Sequence, residues 1–351
     1  MSSWEDNVRR VEPYVPGEQP KEKDIIKLNT NENPYPPTPR VAEVIRDFDA
    51  AQLRKYPDPT IADLVGQLSQ TYGVPTDQIF VGVGSDDVLA LSFLTFFHGD
   101  TPILFPDVTY SFYDVWADVF EIPYRVCPLD KDFSIRKEDY FTANGGIVIA
   151  NPNAPTGLLC PTDALCEIVK KNPDSVVIID EAYGDFSGTS MLPYIDTYDN
   201  LLVVRTFSKS RSLAGSRIGF AFGSKKLMGF LNDVKYSFNS YTMDSLSIAV
   251  GVASLKDNTY FEDRVNEIIA TREWAKKKLR DLGFSFPDSS ANFIFATHPS
   301  VPAKELYEKL RQRKIFVRHF DKPRMDNYLR ISVGTREEME QLIAALKDMI
   351  S

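Results

Sequence analysis

The chain contains a series of short apolar segments between residues 79 and 223, and this series restricts its fold more than any other feature. Several segments are separated by stretches with the spacing of amphipathic helices, at 85–97, 111–119 and 161–171. Apolar strands that alternate with helices are typical of a mostly parallel sheet covered on both faces. We therefore predict an α/β fold with central strands at 79–83, 103–105, 147–150, 176–179, 201–204 and 218–222.

The regions on either side of this series differ from it in pattern. The N-terminal region is proline-rich and irregular, which predicts an extended arm. The C-terminal region joins a long amphipathic helix at 259–283 to strand-like segments and two shorter helices, which is typical of a small α+β unit. A chain of 351 residues is long enough for two domains. We expect an arm with part of the small domain at 1–40, a large domain at 41–245 and a small domain at 246–351.

Charge and composition exclude several classes of partner. A net charge of −9 disfavours nucleic acid and anionic membranes as partners. No stretch approaches 18 uninterrupted apolar residues and the N-terminus lacks the apolar core of a signal peptide, so a cytoplasmic protein is expected. The three cysteines and three histidines lack ligand spacing, and we expect no metal site.

Polar or aromatic residues follow five of the predicted strands. Because ligands bind beyond the carboxyl ends of strands in an open parallel sheet, these residues are candidates for one site. In chain order they include Gly84, Ser85, Asp86, Tyr110, Asn153, Asp180, Tyr183, Thr206, Ser208 and Lys209.

Taken singly, most of these segments have an ordinary structural explanation. GVGSDDVL could be a capped strand-to-helix turn or a helix start that binds phosphate, and it is not a dinucleotide fingerprint. NPNAPTG could be an empty loop, Tyr110 a core aromatic, and SKSRSLAGSR a solvated basic loop. Asp180 is harder to explain, because a carboxylate at the end of a buried strand is costly unless it is paired.

One cofactor chemistry would use these residues together. Pyridoxal phosphate needs a lysine amine for its aldehyde and a carboxylate for its ring nitrogen. Its phosphate needs a helix N-terminus, hydroxyls and an arginine, and its ring is usefully covered by an aromatic side chain. Lys209, Asp180, Arg217, Tyr110 and the helix start at Ser85 match these needs in a consistent order along the chain.

The same motifs resemble the fold type I pyridoxal-phosphate enzymes of the class I/II aminotransferase family, over nearly the whole chain. The resemblance implies a large domain with a mostly parallel central sheet flanked by helices, a smaller α+β domain and a homodimer. Within the family, NTNENPY and LRISVGT are most similar to the histidinol-phosphate aminotransferases. The matching motifs are KLNTNENPYPPTP, KYPDP, GVGSDDVL, DVTYSFY, NPNAPTG, IIDEAYGDF, TFSKSRSLAGSRIGF, ANFIFA and YLRISVGT.

The resemblance implies a role for each matching residue. Lys209 would form the Schiff base, Asp180 would hold the ring nitrogen, Tyr183 would hydrogen-bond the phenolic oxygen and Tyr110 would stack on the ring. Tyr56 would reach the phosphate across a dimer interface. The phosphate itself would be held by Ser85, Thr206, Ser208, Arg217 and the backbone after Gly84, and Asp86 is counted with them among the cofactor-binding residues.

Substrate recognition is expected in the small domain and the arm. Arg330 and Arg318 resemble the arginines that bind a carboxylate or phosphate, although Arg318 could also be a surface charge at a strand edge. Asn33 occupies the position of a substrate-contacting tyrosine in some members. Ala154 departs from the family, which often carries an asparagine there. Either Asn153 takes over the contact with the phenolic oxygen, which we favour, or Tyr183 serves alone.

The resemblance implies reversible transamination of L-histidinol phosphate, with 2-oxoglutarate as the amino acceptor and a ping-pong mechanism. The alternatives on the same scaffold are a threonine-phosphate decarboxylase and an aromatic amino-acid aminotransferase. A catalytically silent protein that binds the cofactor is the alternative outside the enzymes. The expected partners are a small amino donor, a 2-oxo acid and a second copy of the chain.

Overall fold

The computed structural model describes residues 4–14 and 17–350. Residues 1–3, 15 and 16 of the predicted arm and residue 351 of the predicted small domain lie outside the described residues. The α-helices are α1 (Pro39–Asp47), α2 (Ala62–Tyr72), α3 (Gly84–Phe96), α4 (Tyr113–Val119), α5 (Thr162–Lys171), α6 (Lys225–Phe238), α7 (Ser245–Leu255), α8 (Asn258–Asp281), α9 (Ala303–Gln312) and α10 (Arg336–Ile350). The strands are β1 (Ile26–Lys27), β2 (Ile79–Val83), β3 (Ile103–Pro106), β4 (Tyr124–Cys127), β5 (Ile147–Ala150), β6 (Val177–Asp180), β7 (Leu201–Thr206), β8 (Ile218–Gly223), β9 (Phe293–Ala296), β10 (Ile315–Phe316), β11 (Arg318–His319) and β12 (Leu329–Ser332).

A seven-stranded sheet with the order β2-β8-β7-β6-β5-β3-β4 forms the centre of the molecule. The pairs from β7 through β4 are parallel, whereas β8 runs antiparallel to both of its neighbours, β7 and β2. The predicted α/β fold with a mostly parallel sheet is confirmed. Because β8 alone is reversed, its first residue lies at the same edge of the sheet as the last residues of β2, β3, β5, β6 and β7.

Helices cover both faces of this sheet. Successive strand residues point to opposite faces, so Ile149 and Val203 pack with α2, α5 and α7, while Val148 and Val204 pack with α3, α4 and α6. All four of these side chains are fully buried. Burial on both faces explains why the strands are continuously apolar rather than alternating.

A smaller sheet of three antiparallel strands, in the order β11-β12-β9, lies among α8, α9 and α10. Residues of the N-terminal arm belong to the same packing unit, because β1 pairs in parallel with β10 and Leu28 is part of the local core. The backbone N–H of Ser332 also donates to the carbonyl of Leu28 at 2.9 Å. The arm is therefore fixed to the C-terminal unit. Within the described residues, none of the helices is both long and apolar enough to span a membrane.

Candidate active site

A cleft of about 750 Å³, part of it open to solvent, lies at the edge where the carboxyl ends of β2, β3, β5, β6 and β7 meet the start of β8. Nine of the residues predicted from the sequence line it together: Ser85, Asp86, Tyr110, Asp180, Tyr183, Thr206, Ser208, Lys209 and Arg217. Thr30, Glu32, Ala150, Ala154, Ala182 and Ala214 complete the lining. Its position is the one at which open α/β sheets bind their ligands.

Asp180 is the last residue of β6 and is only 4% exposed. Its carboxylate accepts hydrogen bonds from the Tyr113 hydroxyl at 2.9 Å and from the backbone N–H of Ala182 at 3.0 Å. Burial nevertheless raises the pKa of Asp180 to about 6, since these donors only partly offset the loss of water. Within residues 4–14 and 17–350, no cationic side chain forms an ion pair with it. The site therefore favours a cationic group from a ligand here.

Lys209 lies in the loop after β7, with its Nζ 5.7 Å from the centre of the Tyr183 ring. The ammonium donates a long hydrogen bond of 3.4 Å to the carbonyl of Thr30 in the N-terminal arm. The side chain of Asn33 donates to the carbonyls of Lys209 and Ser210 at 3.0 and 3.1 Å. Asn33 therefore fixes the backbone that carries the lysine.

A buried cluster of charges connects the loops after β6 and β7. The Arg205 guanidinium bonds to the Glu181 carboxylate at 2.8 Å and to the Asp185 carboxylate at 3.1 Å. Ser210 also donates to Asp185. Because a buried ion pair is costly to break, this cluster holds Tyr183 and Lys209 in a fixed relation.

One end of the cleft carries groups suited to an anion. Arg217 contacts the hydroxyl of Ser208 at 3.4 Å and the carboxylate of Asp86 at 3.1 Å. The Thr206 hydroxyl donates to that of Ser208 at 2.9 Å. Helix α3 begins here at Gly84 without a side-chain cap, so its positive end faces the same region. A cation, hydroxyl groups and a helix N-terminus are the kinds of group that bind phosphate in proteins.

Two glycines allow α3 and Arg217 to approach so closely. Gly84 has φ of 83°, and a Cβ on it would overlap the Arg217 guanidinium. A Cβ on Gly219 in β8 would overlap the backbone of Gly84 and Ser85. Only glycine fits at these positions while the helix start stays in contact with the sheet.

Tyr110 follows β3 and faces the cleft. Its hydroxyl donates to the Asp86 carboxylate at 2.8 Å, and its ring meets Tyr113 edge-on, with 5.7 Å between the ring centres. Burial, followed by the nearby Asp86, raises the pKa of Tyr110 well above its usual range. The residue is therefore a neutral aromatic surface with a fixed orientation.

Asn153 and Ala154 occupy different environments in the loop after β5. The Asn153 amide donates to the Val108 carbonyl at 2.9 Å and accepts from the Thr109 hydroxyl at 2.8 Å. These contacts occupy its side chain in the loop, and it is not among the residues that line the cleft, whereas Ala154 is. The contact of Asn153 with the phenolic oxygen stays a prediction that this placement does not support.

Arg330 and Arg318 face each other in the β11–β12 pair, so their side chains share one face of the small sheet. Both guanidinium groups lie 5.5 Å from the centre of the Phe320 ring. Arg330 donates to the Asn29 carbonyl at 3.0 Å, while its Nε is buried without a hydrogen-bond partner in the described part of the chain. Burial lowers the pKa of Arg330, and the charge of Arg318 adds to this effect. Two adjacent cations favour an anionic ligand.

Arg330 is connected to the cleft through an aromatic residue. The Phe293 ring meets Tyr183 edge-on, with 4.9 Å between ring centres, and the Arg330 guanidinium lies 5.5 Å from the centre of the Phe293 ring.

Tyr56, in contrast, is mostly exposed to solvent: it is 82% exposed and stacks on Tyr241 at 4.7 Å between ring centres. The chain brings together all predicted cofactor groups except Asn153 and Tyr56.

Sequence reasoning missed several residues of the site. Tyr113 binds Asp180, and Asn31 donates to the Tyr183 hydroxyl at 3.0 Å. Thr30 and Glu32 line the cleft. The only sequence signal for the arm residues is the cluster of polar side chains in NTNEN, since their partners lie more than 150 residues away.

The arrangement fits pyridoxal phosphate from end to end. Asp180 is a buried carboxylate that pairs with no cationic side chain of the described residues, which suits a protonated ring nitrogen. Lys209 carries an amine, and the end of the cleft at Arg217 carries groups of the kind that a phosphate needs. The cleft lies between these groups and is bordered by the aromatic ring of Tyr110.

Comparisons with known proteins agree with this reading. The family model "Aminotransferase class I and II" matches residues 23–346. The histidinol-phosphate aminotransferase of Lactococcus lactis subsp. cremoris is 51% identical, covering 99% of this chain and 98% of that protein. The enzyme of the same name from Clostridium beijerinckii is 49% identical, covering 99% and 97%.

A solved structure shows the same fold. The histidinol-phosphate aminotransferase of Sinorhizobium meliloti, in complex with pyridoxal-5′-phosphate, superposes with a TM-score of 0.85 at 24% identity, covering 93% of this chain and 90% of that chain. The chain therefore belongs to the class I and II aminotransferase family and is an aminotransferase that depends on pyridoxal phosphate.

Proposed function

We propose that the protein transaminates L-histidinol phosphate, with 2-oxoglutarate as amino acceptor, by a ping-pong mechanism. The pair formed by Arg330 and Arg318 carries this proposal, since two guanidinium groups beside the cleft suit a phosphate or a carboxylate. Histidinol phosphate has a phosphate but no carboxylate, and 2-oxoglutarate has two carboxylates, so one arginine pair could serve both. The relatives with about half of their residues identical carry the corresponding name.

Pyridoxal phosphate, when bound, supplies an aldehyde that takes up an amine and a ring that accepts the electrons of a carbanion. Asp180 holds a proton at the ring nitrogen, since its buried carboxylate is stabilised by a positive charge beside it. The phosphate would be bound by Arg217, Ser208, Thr206 and the start of α3. This contact would set the distance between the bound phosphate and Lys209.

Lys209 moves the proton of the reaction. In the proposed role its neutral Nζ would take the proton from the α-carbon of the amino donor and would deliver it to the C4′ carbon that the cofactor supplies. The hydrogen bonds from Asn33 to the carbonyls of Lys209 and Ser210 hold the backbone of the lysine during this transfer. Arg330 and Arg318 orient the donor through its anionic group.

Steady-state kinetics test the order of the steps. Both half-reactions use one site, so the first product must leave before the acceptor binds. Initial rates at several fixed 2-oxoglutarate concentrations should give parallel double-reciprocal lines against histidinol phosphate. Intersecting lines would contradict a ping-pong mechanism.

The donor itself is tested by comparing kcat/KM for three amines. We expect L-histidinol phosphate to exceed phenylalanine and O-phosphothreonine by at least about 100-fold, the factor that one charge-assisted contact can supply. A higher value for phenylalanine would favour the aromatic aminotransferase. Release of CO2 from O-phosphothreonine would favour the decarboxylase instead.

We also propose that two copies of the chain form a homodimer through an exposed apolar patch. The patch consists of Leu53, Tyr56, Tyr236, Phe238 and Tyr241, whose exposure ranges from 43% to 82%. The Tyr236 hydroxyl bonds to the Pro59 carbonyl and Tyr56 stacks on Tyr241, so the two chain segments that carry these residues, 53–59 and 236–241, are in contact. A patch of this kind is unusual on a monomer and typical of an interface. It would carry Tyr56 towards the phosphate of the partner.

A further inference from the structure

The amide of Asn31 contacts the hydroxyl of Tyr183 inside the protein. Asn31 is 1% exposed and its Nδ2 lies 3.0 Å from the Tyr183 oxygen. Since an amide nitrogen can only donate, the tyrosine hydroxyl must accept this bond. Its own proton is then available for a different acceptor.

The orientation of the Asn31 amide is fixed by its surroundings. The hydroxyl of Ser332 donates to Asn31 Oδ1 at 3.0 Å and accepts from the Asn31 backbone N–H at 2.8 Å. The Asn292 side chain donates to the Asn31 carbonyl at 3.0 Å. A flipped amide would present its nitrogen, a second donor, to the Ser332 hydroxyl, whose own proton would then lose the Asn31 Oδ1 acceptor that it has in the described structure. The network as a whole therefore favours donation towards Tyr183.

The backbone conformation at Asn31 is one that favours asparagine. Its φ is 56°, in the left-handed region, where asparagine is several-fold enriched among residues with a side chain. This conformation brings the amide towards β12 and Tyr183 at once. The arm is thus shaped to deliver one hydrogen-bond donor to the edge of the cleft.

The loop that departs from the family pattern explains why such a donor is useful. Ala154 lines the cleft close to Tyr183 but has no polar side-chain atom, and Asn153 is engaged with Val108 and Thr109. Tyr183 is therefore the side chain of this region that can donate to the phenolic oxygen of the cofactor.

We propose that Asn31 is a positioning residue that makes Tyr183 a hydrogen-bond donor to the phenolic oxygen of pyridoxal phosphate. Asn31 acts through Tyr183. In this way it compensates indirectly for the side-chain amide that is missing at Ala154. The inference rests on the predicted contact between Tyr183 and the cofactor. It links the N-terminal arm, the small sheet and the electronic state of the cofactor through a single hydrogen bond.

Other charged and titratable groups also face Tyr183. Lys209 lies over its ring, Arg330 of β12 acts on it electrostatically, and Asp180 precedes it in the chain. Tyr110 and Tyr113 each interact with it electrostatically as well. Replacing Asn31 leaves the chemical identity of each of these groups unchanged, and the double variant described below separates their contribution from that of Asn31.

The pH dependence of the visible absorption of the holoenzyme tests the proposal without a substrate. It reports the proton that the phenolic oxygen shares with the Lys209 nitrogen, and a donor to that oxygen favours the deprotonated state. Tyr183→Phe should raise the midpoint, and Asn31→Ala should raise it by about half to one pH unit, the worth of one hydrogen bond. Asn31→Asp keeps the shape but must accept from Tyr183, so it should raise the midpoint as well.

The double variant separates a positioning role from a structural one. In the Tyr183→Phe background, Asn31→Ala should cause no further shift of the midpoint, because the Tyr183 hydroxyl through which Asn31 acts is absent. Asn29→Ala is the matched control: this buried arm residue donates to the Glu18 carbonyl, and no hydrogen bond joins its side chain to Tyr183. It should leave the midpoint unchanged.

Three results would overturn the proposal. One is a wild-type midpoint in the folded holoenzymes of both Asn31 variants. The second is a shift by Asn31→Ala that persists fully in the Tyr183→Phe background. The third is a wild-type midpoint in Tyr183→Phe itself, which would remove the contact with the cofactor on which the inference rests.

Discussion

Asp180 combines two properties that seldom occur together in a carboxylate, deep burial and the absence of a cationic partner in the described part of the chain. Because its pKa is raised to about 6 in the folded protein, the folded state binds a proton more tightly than the unfolded chain does. The cofactor-free protein must therefore lose stability from this group as the pH rises from about 4 to about 6.

Asp180→Asn removes this pH-dependent contribution to the stability of the folded protein. The quantity compared is the free energy of unfolding of the cofactor-free variant minus that of the cofactor-free wild type. Because the pKa of Asp180 is raised, we expect this difference to increase by about 2 to 3 kcal/mol between pH 4 and pH 7. Urea unfolding of both proteins at the two pH values measures the difference. Equal differences at pH 4 and pH 7 would show that the folded-state pKa of Asp180 is not raised.

Arg330→Lys tests the proposed anion site. Lysine keeps the charge but loses the planar fork, so we expect kcat/KM for histidinol phosphate to fall by about 10- to 100-fold. Arg313→Lys is the control, since Arg313 pairs with Asp348 on the surface. Similar values for both variants would exclude Arg330 from substrate binding.

At the residue scale, the sequence predicts chemistry better than contacts. Lys209, Asp180 and Arg217 can be identified because a charge beside an apolar strand needs an explanation. Tyr113 and Asn31 cannot, since an aromatic residue and an asparagine are ordinary in a helix start and a loop. Their importance depends on partners 67 and 152 residues away, which only the folded chain brings close.

At the element scale, the contact between α3 and β8 determines whether the phosphate site forms. Gly219→Ala would place a methyl group against the backbone of Gly84 and Ser85, and a helix start cannot yield as a flexible side chain can. We expect α3 to move away from Arg217 and the dissociation constant for pyridoxal phosphate to rise by about 10- to 100-fold.

Absorbance titration of the cofactor-free protein measures this constant. Gly229→Ala, in α6 and facing open space, is the matched control and should leave it unchanged while stabilising the helix by about 0.5 to 1 kcal/mol. Wild-type affinity in Gly219→Ala would show that the close approach is not needed.

The elements predicted from the sequence and those observed differ where burial is incomplete. The apolar strands of the central sheet are found within two residues of their predicted bounds, because both of their faces are buried. The edge strand β4 was not predicted, since Tyr124, Arg125 and Val126 are exposed and its sequence lacks a continuous apolar run. The antiparallel direction of β8 was equally unpredictable, because an apolar strand reads the same in either direction.

At the scale of the whole molecule, the proposed homodimer makes a separate prediction. Sedimentation equilibrium should give the mass of two chains, and Phe238→Asp should shift the distribution towards one chain by placing a charge in the apolar patch. We expect the same variant to bind pyridoxal phosphate more weakly, since Tyr56 would lose its position at the partner. A wild-type protein with the mass of one chain would contradict the proposed dimer.

The division into an arm, a large domain and a small domain follows from the patterns in the sequence and stays a prediction. The packing of Leu28 with β10, α9 and α10 is consistent with an arm that contributes to the small domain. What the sequence could not reveal is that this arm also reaches the cleft, through Thr30, Asn31 and Glu32. Such a contact depends on where the chain returns in space.

The most direct test of the central claim is a single turnover without an acceptor. The holoenzyme is mixed with L-histidinol phosphate in the absence of any 2-oxo acid, and the visible absorption of the bound pyridoxal phosphate is followed over time. We predict that the band is lost at micromolar substrate, in proportion to the active sites, and returns on addition of 2-oxoglutarate. A band that histidinol phosphate leaves unchanged while an aromatic amino acid bleaches it would contradict the proposed substrate.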